Sequence, residues 1–295
     1  MRGFSLLSSL SAGDLAQVAR LSRDRDFPAG AVLAIEDQPV RAAQVVISGR
    51  VDLWRAGALV RACQPFDVIE LPAIAAGLPH PFTVRAAEPV HTLEIDAGLV
   101  AEVLEDDFRL FLEVLRLAAR TPPAGRAPAP TVREASDAAG ARARARAGGF
   151  SHDDAAARLI ALRGTDLFKQ APVDGLAALA RRLEVAHLAP GDAVVLSDAG
   201  EVTVVVEGQV SVPAIEGLPI RASGGDATAR VVGSGTVLGL REALAGAPPL
   251  AGVRADSSVV LLRGPLADLL DVLDDHHAMA RALMAELVTM TVSAA

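Results

Sequence analysis

One cysteine, one tryptophan and no tyrosine stand in 295 residues, and each shortage removes a class of protein. A lone Cys63 can form neither an internal disulfide nor a zinc cluster, and it fits a reducing compartment. With eight Phe as the main aromatic supply, the cores must be built from Leu, Val, Ile and Ala. No apolar run reaches the roughly 20 residues needed to cross a bilayer, so no membrane span is expected. The N-terminus, MRGFSLLSSLSAGDL, has one Arg and a short apolar patch, but Asp14 follows soon and no small-residue cleavage site completes a leader. Cations are scarce too. The net charge is −8, whereas wrapping nucleic acid needs clustered Lys and Arg. A soluble, cytoplasmic protein is the expectation.

What is present is a repeat. VIELPAIAAGLPHPFTVRA, from Val68 to Ala86, returns as VLGLREALAGAPPLAGVRA, from Val237 to Ala255. Val45-Val46-Ile47-Ser48-Gly49-Arg50-Val51 is answered by Val204-Val205-Val206-Glu207-Gly208-Gln209-Val210, and Val103-Leu104-Glu105-Asp106 by Val272-Leu273-Asp274-Asp275. From Pro79 to Asp107 the spacing holds at 169 residues, which marks a duplicated domain.

In chain order, Phe4–Leu21 has helical spacing, with Ser11 and Asp14 as a capping box. Asp26-Phe27-Pro28-Ala29-Gly30 stops any helix there. Short strands follow at Ala31–Ile35, Gln44–Ile47, Val51–Trp54, Leu59–Ala62, Phe82–Ala86 and Val90–Ile95. Helix returns at Leu99–Leu104, breaks at Asp106-Asp107 and resumes from Phe108 to Arg120. The second half replays this order, led by helices at Asp153–Leu162 and Leu176–Leu183 and lengthened by an insertion around Pro213–Arg230. Short strands punctuated by Gly and Pro predict a sandwich or barrel rather than alternating α/β. The fold class is therefore mainly β with flanking α (α+β): two antiparallel β-barrel or jelly-roll domains, each with N- and C-terminal helices. The expected boundaries are 1–120, a Pro/Ala/Arg linker at 121–150, and 151–295. That linker's five Arg against Glu134 and Asp137 give +3 within a chain of −8. It reads as a solvated connector, or as a basic strip that docks an acidic partner.

A helical lead-in, a barrel with a V-x-x-G-x-V hairpin, an embedded short helix and two closing helices resemble the cyclic-nucleotide-binding domain. The resemblance covers nearly the whole chain outside the linker. In that family a cassette Gly-Glu-x-Ala-Leu, then Pro-Arg-Ala-Ala-x-Val-x-Ala, holds the ligand. Its Glu accepts from the ribose 2′-hydroxyl, and its Arg grips the cyclic phosphate as a guanidinium fork. Set on this sequence, Gly-Glu falls on Ile69-Glu70 and Pro-Arg on Pro79-His80, with a loop one residue longer than in the second half. The first candidate pocket is thus Glu70, Leu71, His80 and Thr83, with the Gly lost and His in place of Arg. In the second half Gly-Glu falls on Gly239-Leu240 and Pro-Arg on Pro248-Pro249. The pocket of Gly239, Leu240 and Pro249 keeps the Gly and loses both ligand-contacting side chains. Arg241 and Glu242 lie nearby, out of register.

No other motif carries chemistry. Val232–Gly239 has the glycines of a dinucleotide loop without the long helix behind them. His276-His277 beside Asp274-Asp275 falls at a helix junction, where an Asp N-cap and exposed His are ordinary. His91, His152 and His187 have no sequence neighbours that complete a triad or a metal set. No nucleophile elbow, P-loop or zinc spacing is present, so no catalytic residue and no metal ligand is assigned. The closing stretches, Phe108–Ala118 and Met279–Val292, are apolar over more of their circumference than one contact needs. They predict either a protein partner, self-association included, or packing within the chain. The sequence ends at Ala295, so no helix-turn-helix and no DNA binding is expected.

The leading expectation is a non-enzymatic regulatory, adaptor or assembly protein with two degenerate cyclic-nucleotide-binding-like domains, acting through protein contacts and needing no cofactor. One alternative is a sensor whose first domain binds a cyclic mono- or dinucleotide through Glu70 and His80. Another is the regulatory subunit of an enzyme supplied in trans.

Overall fold

Period-two alternation of side chains builds the sheets, and helices close their ends. The computed structural model describes residues 22–121, 154–197, 200–213 and 229–292. The helix expected at Phe4–Leu21, the linker beyond Thr121 and most of the insertion lie outside them. The chain divides into two compact units, Met1–Gly125 with Leu287–Ala295, and Arg126–Glu286.

The first unit holds β1 (Arg23–Phe27), β2 (Val32–Ala34), β3 (Ala42–Ser48), β4 (Val51–Arg55), β5 (Ala58–Cys63), β6 (Val68–Ile69), α1 (Leu71–Ala76), β7 (Thr83–Ala86), β8 (Val90–Asp96), α2 (Ala97–Asp106) and α3 (Phe108–Arg120). Its strands form two four-stranded sheets, β1-β8-β3-β6 and β2-β7-β4-β5, antiparallel throughout. Alternation sends Val51 and Leu53 of β4, and Val84 and Ala86 of β7, into a core shared with Val46, Cys63, Ile69 and Val90. Asp52, Trp54, Thr83 and Arg85 take the opposite positions on those strands. β1 is a strand where the sequence reads as a helix stop. It is exposed at four of its five positions, so it lacks the apolar alternation by which a strand is recognised.

The second unit holds α4 (Ala155–Arg163), α5 (Val173–Arg182), β9 (Glu184–Leu188), β10 (Glu201–Glu207), β11 (Gln209–Pro213), β12 (Ala229–Gly233), β13 (Val237–Leu238), α6 (Leu240–Ala245), β14 (Arg254–Ala255), β15 (Val259–Pro265), α7 (Leu266–Asp275) and the start of α8 (His277–Val292). Two antiparallel sheets recur, β13-β10-β15-β9 and β12-β11-β14, around Val205, Val210, Leu238, Ala255 and Leu261.

The duplication extends to irregularities. Each of β3 and β10 carries a bulge, between Val46 and Ser48 and between Val205 and Glu207. Gly49 and Gly208 follow with φ of 83° and 88°, and a Cβ on either would meet a carbonyl oxygen, of Pro89 or Ser258, at 2.3 Å. The V-x-x-G-x-V hairpin therefore needs glycine twice over, for conformation and for space.

The break at Asp106-Asp107 is an N-cap: the Asp107 carboxylate accepts from the N–H groups of Arg109 and Leu110. Along α3, Leu110, Phe111, Val114, Leu115, Ala118 and Ala119 form one buried stripe. Along α8 the corresponding stripe is Met279, Ala280, Leu283, Met284, Leu287 and Val288. The apolar positions of both stripes are buried, and among the described residues of α8 Met290 alone is a large exposed apolar side chain.

Candidate functional site

β6 pairs with β3 for two residues, Gln44↔Ile69 and Val45↔Val68, and then the chain must turn into α1. It does so through Glu70, at φ 74° and ψ −8°. A non-glycine residue in this left-handed region costs on the order of 1–3 kcal/mol. Pro72 falls in the first turn of α1, where a missing N–H costs nothing, so the helix runs on through it. Gly77 ends α1 at φ 68°, its N–H reaching back to Ala73 and Ile74.

The cassette then brings His80 back to Glu70. His80 is clipped by its backbone, its N–H donating to Gln38 O at 2.8 Å and its carbonyl accepting from Asp37 N–H at 2.9 Å. Its Nδ1 lies 3.0 Å from Glu70 Oε1, with 11% and 2% of the two side chains exposed. The distance is that of an ion pair, but the angles are not those of a hydrogen bond. Glu70 Oε1, Glu70 Oε2 and His80 Nδ1 are all buried without a hydrogen-bond partner. A buried carboxylate so poorly satisfied is expensive. Glu70 thus combines backbone strain with burial of an ionisable group.

The other two residues of the first candidate pocket fall elsewhere. Leu71 is buried core at the start of α1. Thr83 lies on the outward side of β7, where its hydroxyl accepts from Glu36 N–H at 3.2 Å.

In the second unit Gly239 occupies the turn, at φ 73° and ψ −10°, and α6 ends at Gly246, φ 66°. Glu70 therefore corresponds to Gly239, and Leu71 to Leu240, at the same 169-residue spacing that holds after Pro79. The sequence alignment, which matched Glu70 to Leu240 and assumed a longer first loop, is displaced by one residue here. The reason is conformational: the family's Glu sets the register on Glu70 by residue type, whereas the backbone puts Glu70 itself in the left-handed turn that Gly239 occupies, and a glutamate in that position gives no sign of it. Gly239 also has little room, since a Cβ would meet Leu196 Cδ1 at 3.0 Å. Leu240 is buried, and Pro249 lines a hollow of about 140 Å³ with Gly239, Ser197 and Glu201. Glu201 is held by the Arg263 guanidinium through both carboxylate oxygens, which neutralises that charge. Arg241 and Glu242 follow Leu240 at the positions of Pro72 and Ala73.

Residues 24–107, which include this first cassette whole, match the family model described as the cyclic nucleotide-binding domain. Solved structures to which the chain is similar include a putative cyclic nucleotide-binding protein from Geobacter metallireducens, 22% identical, covering 37% of this chain and 82% of that one at a TM-score of 0.34. The regulatory domain of Toxoplasma gondii PKA with cAMP is 15% identical, with 95% and 90% covered and a TM-score of 0.34. The regulatory subunit of a cAMP-independent protein kinase A from Trypanosoma cruzi, bound to guanosine, is 16% identical, with 91% and 82% covered and a TM-score of 0.31. No curated protein matches the sequence.

Elsewhere in the first unit, tertiary pairing gives His91 the neighbours that its sequence context lacks. Antiparallel register sets His91 opposite Asp26, and the imidazole lies between two carboxylates, Nδ1 2.9 Å from Asp26 and Nε2 3.0 Å from Asp24. The hydrogen bond to Asp26 raises the His91 pKa above its ordinary value; desolvation opposes it, and the charges of Asp26 and Asp24 assist. The partners stand 65 and 67 positions away in the sequence, so only the pairing of β1 with β8 could reveal them. In the second unit His276 ends α7 and lies 3.3 Å from Asp174. Among the described residues no three or more His, Cys, Asp and Glu side chains gather to hold a metal ion. Among them, too, no helix is long and apolar enough to cross a membrane.

Proposed function

We propose that this chain is a non-catalytic regulatory or adaptor protein that works through protein contacts, and that neither cassette grips a cyclic phosphate. The observation that carries the reading is the Glu70–His80 pair at 3.0 Å. His80 stands where the family resemblance expects an arginine, and its ring already faces a carboxylate. A phosphate brought to that spot would meet the Glu70 charge in a buried place, where like charges repel far more strongly than in water. The second cassette offers Leu240 and Pro249, neither of which can donate a side-chain hydrogen bond. Losing a charge-assisted phosphate contact costs on the order of 2–4 kcal/mol, about thirtyfold to a thousandfold in affinity.

One observation favours the sensor reading. Both Glu70 oxygens are acceptors without a donor, and a hydroxyl pair on a ligand would satisfy them.

Calorimetric titration with cyclic AMP, cyclic GMP and cyclic dinucleotides separates the two. The expected result is no binding by the natural chain and micromolar binding by Glu70→Gly/Leu71→Glu/His80→Arg, which restores the family cassette at the register of Gly239. Micromolar binding by the natural chain, abolished in Glu70→Ala, would establish the sensor instead.

A further inference from the structure

The outward face of the sheet β2-β7-β4-β5 carries a hollow of about 330 Å³, lined by Glu36, Trp54, Gly57, Thr83 and Arg85. It stands apart from the Glu70–His80 pair: the core cluster takes Val51, Leu53, Val84 and Ala86 from the same two strands and leaves Trp54, Thr83 and Arg85 out. Its volume lies within the range of small binding sites.

The rim is tied down. Glu36 Oε1 lies 3.4 Å from Arg55 Nη1, and Glu36 Oε2 accepts from Ala56 N–H at 3.1 Å. Arg55 in turn donates to Pro81 O at 2.7 Å, and Glu36 N–H donates to the Thr83 hydroxyl. These bonds hold the Ala56-Gly57 turn, whose residues have φ of 47° and 82°. The Glu36 carboxylate is thereby committed to Arg55 and the turn.

Arg85 is different. It is exposed, and its guanidinium makes no ion pair or hydrogen bond with the described residues. Its cross-strand neighbour Asp52 pairs with Arg50 at 3.5 Å instead. Beside the hollow, register sets Leu59, 54% exposed, opposite Trp54, and Val32, 44% exposed, opposite Arg85. An indole and an uncommitted guanidinium on a rigid rim are the residue types of an interface hot spot, and the two exposed aliphatic side chains extend the apolar surface beside them. In a chain of net charge −8 the uncompensated charge at this hollow is positive.

We infer that the hollow docks a segment of a partner protein in which a carboxylate adjoins a large apolar side chain. The carboxylate pairs with the Arg85 fork, and the apolar group lies on the Trp54 indole against Leu59. This rests on the partner-binding reading above and names the chemistry of that partner.

Trp54 is the chain's one tryptophan, so its emission reports this site alone. The full chain is titrated with a blocked peptide Glu-Phe-Asp-Leu and with its charge reversal Lys-Phe-Lys-Leu. The expected result is a saturable change in Trp54 emission with the acidic peptide, at least tenfold weaker in Arg85→Gln and absent with the basic peptide. An equal response to both peptides, an unchanged affinity in Arg85→Gln, or no saturable response would overturn the inference. So would a Trp54 change on diluting the protein alone, which would put a second copy in the hollow. Cyclic nucleotide calorimetry reads the other site, so the two readings can fail separately.

Discussion

Glu70 Oε1 lies 3.0 Å from His80 Nδ1, and these two side chains close the first cassette from within. The second repeat manages the same backbone turn with Gly239 and no charge. The comparison isolates what Glu70 costs and leads to the first prediction. Glu70→Gly relieves a left-handed residue and removes a buried, unsatisfied carboxylate. It is expected to stabilise the chain by about 1–2 kcal/mol in urea unfolding, with Glu70→Gln gaining less because the strain remains. A loss of stability in Glu70→Gly would mean that the pair with His80 holds the domain together.

Gly30 and Gly49 share φ of 83° but differ in surroundings. A Cβ at Gly30 meets nothing within 4 Å, whereas one at Gly49 meets Pro89 O at 2.3 Å. Gly30→Ala is expected to cost about 1 kcal/mol, the conformational penalty alone. Gly49→Ala should cost at least about 2 kcal/mol more, because backbone must move. Chemical denaturation of both variants checks the difference, and equal costs would show that β8 shifts freely.

Cys63 is buried at the end of β5, and burial pushes its thiol up to about 11, only partly offset by the nearby Arg61 charge. The reactive species is the thiolate, so little of it exists at pH 8. Iodoacetamide should label the native chain roughly a hundredfold more slowly than the urea-unfolded chain, where the thiol returns to about 8.5. Similar rates in both states would place Cys63 at the surface.

The His91 imidazole bridges Asp26 and Asp24 of β1, and its pKa is raised in the folded state. A raised folded value contributes stability that is complete below the unfolded value, 6.5, and fades as pH rises through the folded one. The melting temperature of the natural chain should therefore exceed that of His91→Gln most at about pH 5.5 and least near pH 8.5. A difference that grows with pH would contradict the sign.

By itself the sequence determined the duplication, the order of elements and the identities of the cassette residues. These are local properties: the Val-x-x-Gly-x-Val hairpin, the Asp107 cap and the apolar stripe of α3 declare themselves within a few residues, because turn conformation, capping and helix periodicity are short-range. β1 escaped notice because its residues Arg23 to Asp26 face water and carry no apolar alternation. Only the tertiary structure decided what the cassette does with those residues. It put Glu70, not Ile69, in the left-handed turn, aimed its carboxylate at His80 rather than at solvent, and used register to set Asp26 against His91 and Arg85 beside Trp54. Such relations depend on where strands far apart in the chain are brought together, and that is a property of the packed sheets, which no stretch of the sequence contains.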